Sequence, residues 1–376
     1  MFKILSFKKT KCYKFNFVLF FLMFSLLGIG FVFVYSASFY SANLSYGNKF
    51  FFLNKQIFGF LVGLIFYFLF SFFDYHKFEK LNYFFVIFSF VLLVLVFVPG
   101  VGLTNYGATR WIDLKFITFQ PSEIAKFAFI VFSASVLSKK TEQVKSFKGI
   151  LSVLIVGVLY CALIILEPNM SITICMAALM LVMLFLGGTK LKYFLLMILP
   201  AIAIVILLII VEPYRLRRLV AFVDPFASSK EEGFQLVQSI LGISLGGIFG
   251  EGIFNSRQKY LFLPFAESDF IFSIIAEETG FVGSIFVILL FVLLFLIIIK
   301  ISKRAPDKFG FLLSSGIASL ILIQVFLNIA VVSGLVPPTG LPLPFISAGS
   351  TSIMIFMSML GVVQNIHRQS VKSVIH

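Results

Sequence analysis

The chain has 376 residues, 60% of them hydrophobic and only 12% charged, with a mean hydropathy of +1.08. A soluble domain carries about 25% charged residues, so a soluble fold is excluded and the chain reads as an integral membrane protein. Its net charge of +14 does not mark a nucleic-acid binder, because the cations punctuate apolar runs and do not gather on one face.

The first 15 residues form a basic tail (Lys3, Lys8, Lys9, Lys11 and Lys14) ahead of an apolar run in which Ser36-Ala37-Ser38 imitates a signal cleavage site. That run reaches about 20 residues, against about 7–15 for a cleavable signal core, and so predicts a retained first membrane helix. Windows long enough to cross about 30 Å of hydrocarbon fall at 16–36, 56–73, 81–99, 121–138, 150–166, 170–188, 193–211, 281–300, 310–334 and 350–366. They predict an all-α integral membrane protein of roughly ten transmembrane helices, built as a single polytopic domain over 1–376.

Lys and Arg concentrate in the tail, in 73–80, 138–149, 188–192 and 300–309, and in the last stretch, 367–376. The positive-inside rule then places both termini in the cytoplasm. On the outer side it leaves 37–55, 100–120 and a large extracytoplasmic loop, 212–280, between helices 7 and 8. Within that loop, Gly242 to Gly250 is too short and too glycine-broken to span. It reads as a re-entrant or interfacial segment, which needs protein or a wet cavity to cover its backbone. No GxxxxGK[ST] or GxGxxG run is present, so any reaction must draw on a pre-activated substrate or a gradient. Cys12, Cys161 and Cys175 lack CxxC or metal-ligand spacing and read as core or inert residues, with no metal site expected.

Residues 255–281 carry the strongest chemical signal. A basic loop with Arg257 and Lys259 runs into an apolar helix whose start bears Glu267, Asp269, Glu277 and Glu278. Carboxylates at a membrane boundary are costly without a partner or a task. Asp269 reads either as a general base or as an acid favoured by a helix N-terminus. Glu123 and Lys126 stand three residues apart, just after Pro121, either as a self-neutralising pair or as the polar lining of a cavity shared with Asp269. Arg110, Arg215, Arg217, Arg218, Arg257 and Lys259 give the outer side cations that fit a lipid-linked phosphate, or else surface charge and partners for Asp224 and Glu251. The proline-rich stretch from Pro337 to Pro344 leads into small residues including Ser350 and Ser352, which read as a rigid turn with close packing or as a hydroxyl-lined cavity wall.

Taken together, these segments resemble the SEDS family of bacterial cell-wall polymerases (shape, elongation, division and sporulation). The likeness rests on Gly107-Ala108-Thr109-Arg110-Trp111-Ile112 with Phe119 to Lys126, on Tyr214-Arg215 through Asp224-Pro225 with Gly233 to Ser239, and on Asn255 to Lys259 with Asp269 to Phe272 and Ala276-Glu277-Glu278. It covers 16–367, and its wording is closer to the division (FtsW) type than to the elongation (RodA) type.

The resemblance implies a ten-helix inner-membrane glycosyltransferase that polymerises lipid II during cell division, inverting at the anomeric carbon and releasing undecaprenyl pyrophosphate. It places the catalytic base on Asp269 and the cavity pair on Glu123 and Lys126; the residues read above as substrate contacts are Arg110, Arg215, Arg218, Arg257, Lys259, Ser350 and Ser352. It also implies a class B penicillin-binding protein and other division-complex membrane proteins as partners. No cofactor is required, although Mg or Mn is compatible with the pyrophosphate. The sequence departs from the family pattern at Glu267, where a histidine is usual, at Asn169, where an aspartate is usual, and at Thr351, where a serine is usual. Glu267, two residues before Asp269, reads either as a neighbouring charge that disfavours ionisation of Asp269 or as a loop residue turned to water or to Arg257. The competing readings are a lipid II flippase and a noncatalytic division scaffold.

Overall fold

The computed structural model describes residues 15–105, 108–113, 118–139, 142–200, 213–226 and 233–373. The first helix, α1 (Phe17–Tyr46), is capped by Asn16, whose side chain accepts from the Leu19 amide at 3.0 Å. It runs well past the expected window, and Ser36, Ala37 and Ser38 are buried within it. After it come α2 (Phe51–Phe72), the short α3 (His76–Lys80) and α4 (Asn82–Leu95).

The next segment departs from an all-α reading. Strands β1 (Gly102–Asn105), β2 (Ala108–Asp113) and β3 (Thr118–Phe119) form an antiparallel sheet in the order β1-β2-β3, with Leu103 opposite Trp111 and Ile112 opposite Phe119. Threonine, tryptophan and isoleucine suit a pleated, half-buried surface, and such short strands leave no helical periodicity to read.

Helix α5 (Pro121–Lys139) begins on a proline, whose missing amide is no loss at that position. It is buried along nearly its whole length and is the central helix of the bundle. Helices α6 (Phe147–Leu166), α7 (Met170–Gly187) and α8 (Leu191–Pro200) follow, with α9 (Pro213–Val223) and α10 (Phe234–Gly246) ahead of the last three: α11 (Ile271–Ser302), α12 (Lys308–Val332) and α13 (Ser350–Ser373). Asn169 caps α7 by accepting from the Ile172 amide at 3.3 Å. Asparagine caps a helix about as well as aspartate, which accounts for the departure at this position.

Among the described residues, α1, α2, α5, α6, α7, α11 and α12 are long and apolar enough to cross a membrane, and α4, α8 and α10 are shorter apolar helices. The protein is thus a multi-span membrane protein of predominantly helical fold.

Helix α11 is broken at Gly280 (φ 66°, ψ −164°), a conformation that strains any residue with a side chain. The backbone groups freed by the break find partners in 247–252. Glu251 and Gly252 donate to the carbonyls of Glu277 and Glu278 at 3.0 Å, while Phe281 and Val282 donate to Gly247 and Ile248 at 2.9 and 3.1 Å. The segment after α10 therefore has the protein-covered backbone that its glycine-rich sequence requires.

Candidate functional site

Glu123 and Lys126 occupy the first turns of α5, where a spacing of three residues places their side chains on one face. Lys126 Nζ lies 2.7 Å from Glu123 Oε1, and both side chains are fully buried. The ammonium also donates to Gln324 Oε1 on α12 at 2.9 Å and lies over the Phe356 ring of α13. Removing one member of a buried pair leaves a charge uncompensated, at a cost of about 3–5 kcal/mol. The other carboxylate oxygen, Glu123 Oε2, has no hydrogen-bond partner, nor does the neighbouring Ser122 hydroxyl.

Gln324 extends the polar contacts by donating to the Pro342 carbonyl at 3.0 Å. One turn further along α12, Asn328 donates through its side-chain amide to the Leu341 carbonyl at 2.7 Å and to the Asp269 carbonyl at 2.8 Å. The two residues before Asp269 are tied to the loop 335–349 in the same manner. Ser347 Oγ donates to the Ser268 carbonyl at 2.5 Å, and the Ala348 amide to the Glu267 carbonyl at 2.8 Å. The consecutive carbonyls of residues 267–269 are thus fixed from α12 and from that loop. Asp269 is half-buried, two residues before α11, and its Oδ2 faces the exposed Gly340, at 2.7 Å from where a Cβ on that glycine would stand. Burial raises the pKa of Glu267 above its ordinary value.

The expected cations part company. Lys259 is buried and its ammonium lies 3.1 Å from Glu278 Oε1, where Ser36 Oγ also donates at 2.6 Å; the Phe254 carbonyl accepts from Lys259 as well. Glu277 receives the Ser256 hydroxyl and the amides of Arg257 (2.8 Å) and Gln258 (3.4 Å). The two glutamates therefore shape the turn 255–259. Arg257 is exposed beside them. Arg110 is half-buried and donates to the carbonyls of Glu167 (3.2 Å from Nε) and Pro168. Arg215 and Arg218 fall on α9, but their side chains lie outside the described residues.

Ser350 and Ser352 are buried at the start of α13, where the Ser352 hydroxyl has no partner. Thr351 between them donates to the Thr118 carbonyl of β3 at 3.0 Å, so the hydroxyl at this departure from the family pattern joins α13 to the sheet.

Three residues that sequence reasoning passed over belong to this region. Gln324 and Asn328 form an amide pair at helical spacing inside an apolar span, a signal of the kind polar residues give in membranes. Glu167 is fully buried, and neither of its carboxylate oxygens is hydrogen-bonded. Desolvation pushes its pKa up to about 8, against the lowering influence of Arg110. A carboxylate closing an apolar run just before Pro168 was its signal in the sequence. Among the described residues no three His, Cys, Asp or Glu side chains converge.

A polytopic bundle in which α12 supports both a buried ion pair, through Gln324, and a pinned aspartate, through Asn328, is the architecture of a membrane-embedded site. The family described as "Cell cycle protein" (FtsW/RodA/SpoVE) matches residues 17–372. The chain is 40% identical over 338 residues to "Probable peptidoglycan glycosyltransferase FtsW" of Geobacter sp. (strain M18), covering 90% of this chain and 92% of that one. It is 37% identical over 348 residues to "Stage V sporulation protein E" of Bacillus subtilis (strain 168), covering 92% and 94%. Among solved structures it is similar to one described as "Structural coordination of polymerization and crosslinking by a peptidoglycan synthase complex", with TM-score 0.80, 26% identity and coverage of 96% of this chain and 99% of that one. It is also similar to the rod shape determining protein RodA of Thermus thermophilus, with TM-score 0.69, 27% identity and coverage of 94% and 97%. The chain belongs to the FtsW/RodA/SpoVE family, the SEDS family that its motifs resemble.

Proposed function

We propose that this protein is a peptidoglycan glycosyltransferase of the bacterial inner membrane that polymerises lipid II during cell division, with Asp269 as general base. The observation that carries the reading is the setting of Asp269, a half-buried carboxylate whose main-chain carbonyl accepts a hydrogen bond from Asn328 of α12 and whose Oδ2 faces the exposed Gly340. The relatives named as glycosyltransferases support it.

In the proposed reaction Asp269 takes the proton from the acceptor sugar hydroxyl as its oxygen attacks the anomeric carbon of the donor. The bond from that carbon to the pyrophosphate oxygen breaks, with inversion, and undecaprenyl pyrophosphate departs with the electron pair. Such a leaving group needs no proton from an acid, so one carboxylate suffices where glycoside hydrolases use two. The exposed Arg257 and the arginines of α9 are the cations assigned to the pyrophosphate, together with Arg110. Ser350 and Ser352, buried at the start of α13, are assigned to the substrate as well, and the ammonium of Lys259 holds the turn that presents Arg257. No cofactor is required, and a divalent cation would arrive with the pyrophosphate.

In the membrane ten crossings are proposed, by α1, α2, α4, α5, α6, α7, the apolar window 193–211 (whose part beyond Pro200 lies outside the described residues), α11, α12 and α13. Both termini are cytoplasmic and 212–280 lies outside. Lys126 is neutralised by Glu123 and donates a hydrogen bond to Gln324, while the polar residues concentrate on the outer side, which favours an enzyme over a flippase. The partner is a class B penicillin-binding protein, in keeping with the synthase complex to which the fold is similar.

The test is Asp269→Asn, nearly isosteric, assayed on labelled lipid II with the transpeptidase partner present. Glycan polymerisation is expected to vanish while membrane insertion is unchanged. Polymer at wild-type levels would remove Asp269 from the role.

A further inference from the structure

Asp269 lies in a loop, and a loop carboxylate has no intrinsic direction. A base must sit within about 3 Å of the proton it takes, and a misplacement of about 1 Å costs on the order of a hundredfold in rate. Something has to aim this side chain, and two independent features act on it.

The first is Asn328, 1% exposed on α12. Its amide group spends both hydrogens on carbonyls, Asp269 at 2.8 Å and Leu341 at 2.7 Å. One side chain thereby sets the spacing between the loop that carries Asp269 and the loop that carries Gly340. The second is Gly340 itself. A Cβ built there would stand 2.7 Å from Asp269 Oδ2 and 3.6 Å from its Cγ, and it would meet no other atom as closely. The missing side chain leaves the space that the carboxylate oxygen uses. Gly340 is exposed, so this space opens toward the exterior and is not packed core.

We propose that Asn328 and Gly340 form a positioning pair for Asp269, the amide fixing its main chain and the glycine admitting its carboxylate in one orientation. The proposal rests on Asp269 being the base. Neither residue touches the reacting atoms, and both act through Asp269.

The experiment measures kcat and KM for polymerisation of lipid II by the full-length protein with its transpeptidase partner. It compares Gly340→Ala, Asn328→Ala and Asp269→Asn, with thermal unfolding recorded in detergent for each. Gly28→Ala on α1, where an added Cβ meets nothing within 4 Å, is the control. Gly340→Ala is expected to lower kcat by about a hundredfold and to leave KM within about twofold, as befits an interaction made at the transition state. Its unfolding midpoint should stay with that of the control. Asn328→Ala should lower kcat in the same manner, and the double variant should lose less than the product of the two, since both act on one carboxylate.

Wild-type kcat in Gly340→Ala, with Asp269→Asn inactive, would overturn the positioning role and leave the base assignment standing. Loss of kcat only in step with loss of folded protein would overturn it as well, by making the pair structural. Full activity in Asp269→Asn would remove the base and the positioning pair together.

Discussion

Glu167 shows how far a single residue can be driven by its surroundings. Its carboxyl group is fully buried without a hydrogen bond on either oxygen, and desolvation outweighs the attraction of Arg110 and raises its pKa from about 4.5 to about 8. In the unfolded chain it ionises near its ordinary value, so its neutral form in the folded protein contributes stability that is complete below about 4.5. That contribution falls away as the pH climbs through about 8, a loss on the order of a few kcal/mol. Glu167→Gln removes the ionisation. The variant is expected to unfold, in detergent, at nearly the wild-type temperature at pH 5 and at a higher temperature at pH 8.5. An equal gap at both pH values would show that the carboxyl does not titrate in this range. The sequence displayed this carboxylate at the end of an apolar run, yet only the fold reveals that it is left without a donor.

The break in α11 is the informative event at the level of elements. Gly280 stands at φ 66°, and a Cβ on it would approach Gly250 N to 2.4 Å and Ile248 O to 2.5 Å. Gly280→Ala is expected to cost about 1–3 kcal/mol from backbone strain alone, with the clash added, and thermal unfolding in detergent measures it. A variant as stable as wild type would mean that the helix accepts a straight path. The apolar windows made most helices legible, because hydrocarbon imposes both length and composition. The small sheet was not legible, because strands of two to six residues carry too little periodicity. Nor was the join between residues 277–282 and 247–252, since hydrogen bonds between two backbones leave no mark on side-chain identity. Asp269, Glu123 and Lys126 stood out as charges in apolar surroundings. Asn328 and Gln324 did not, because neutral amides disturb hydropathy far less.

Across the whole molecule, burial separates the last helices into different kinds. Helix α12 is largely core, with Leu322 and Phe326 among its few strongly exposed apolar side chains. Helix α11 shows the exterior a stripe of Phe281, Ile285, Leu289, Val292 and Leu296 at spacings of three and four residues. We assign the surface that meets the transpeptidase's transmembrane segment to this stripe of α11 rather than to α12. Cysteines at Leu289 or Leu293, in a background lacking the chain's own cysteines, are expected to crosslink to the transmembrane segment of the transpeptidase, and a cysteine at the buried Ile317 is not. Crosslinks from other helices alone would move the interface away from α11.

The seam between α2 and α13 bears on how the protein is made. Helix α13 ends in Gln364, Asn365, His367, Arg368 and Gln369, and it is not among the helices apolar enough to cross on composition alone. Its polar end is taken up by the earlier segment: Asn365 and Arg368 donate to the Ser71 carbonyl at 3.0 and 2.8 Å, and the Tyr75 amide donates to Asn365 at 3.1 Å. Close contact is secured by Gly59 against Ser350 and by Gly361 against Tyr67. Translation supplies α2 before α13, so the more polar helix emerges when the groove that takes up its polar end has already been made. The earlier helix thus templates the seating of the later one. A ribosome that stops short of it releases a protein whose α2 groove has no occupant to complete it.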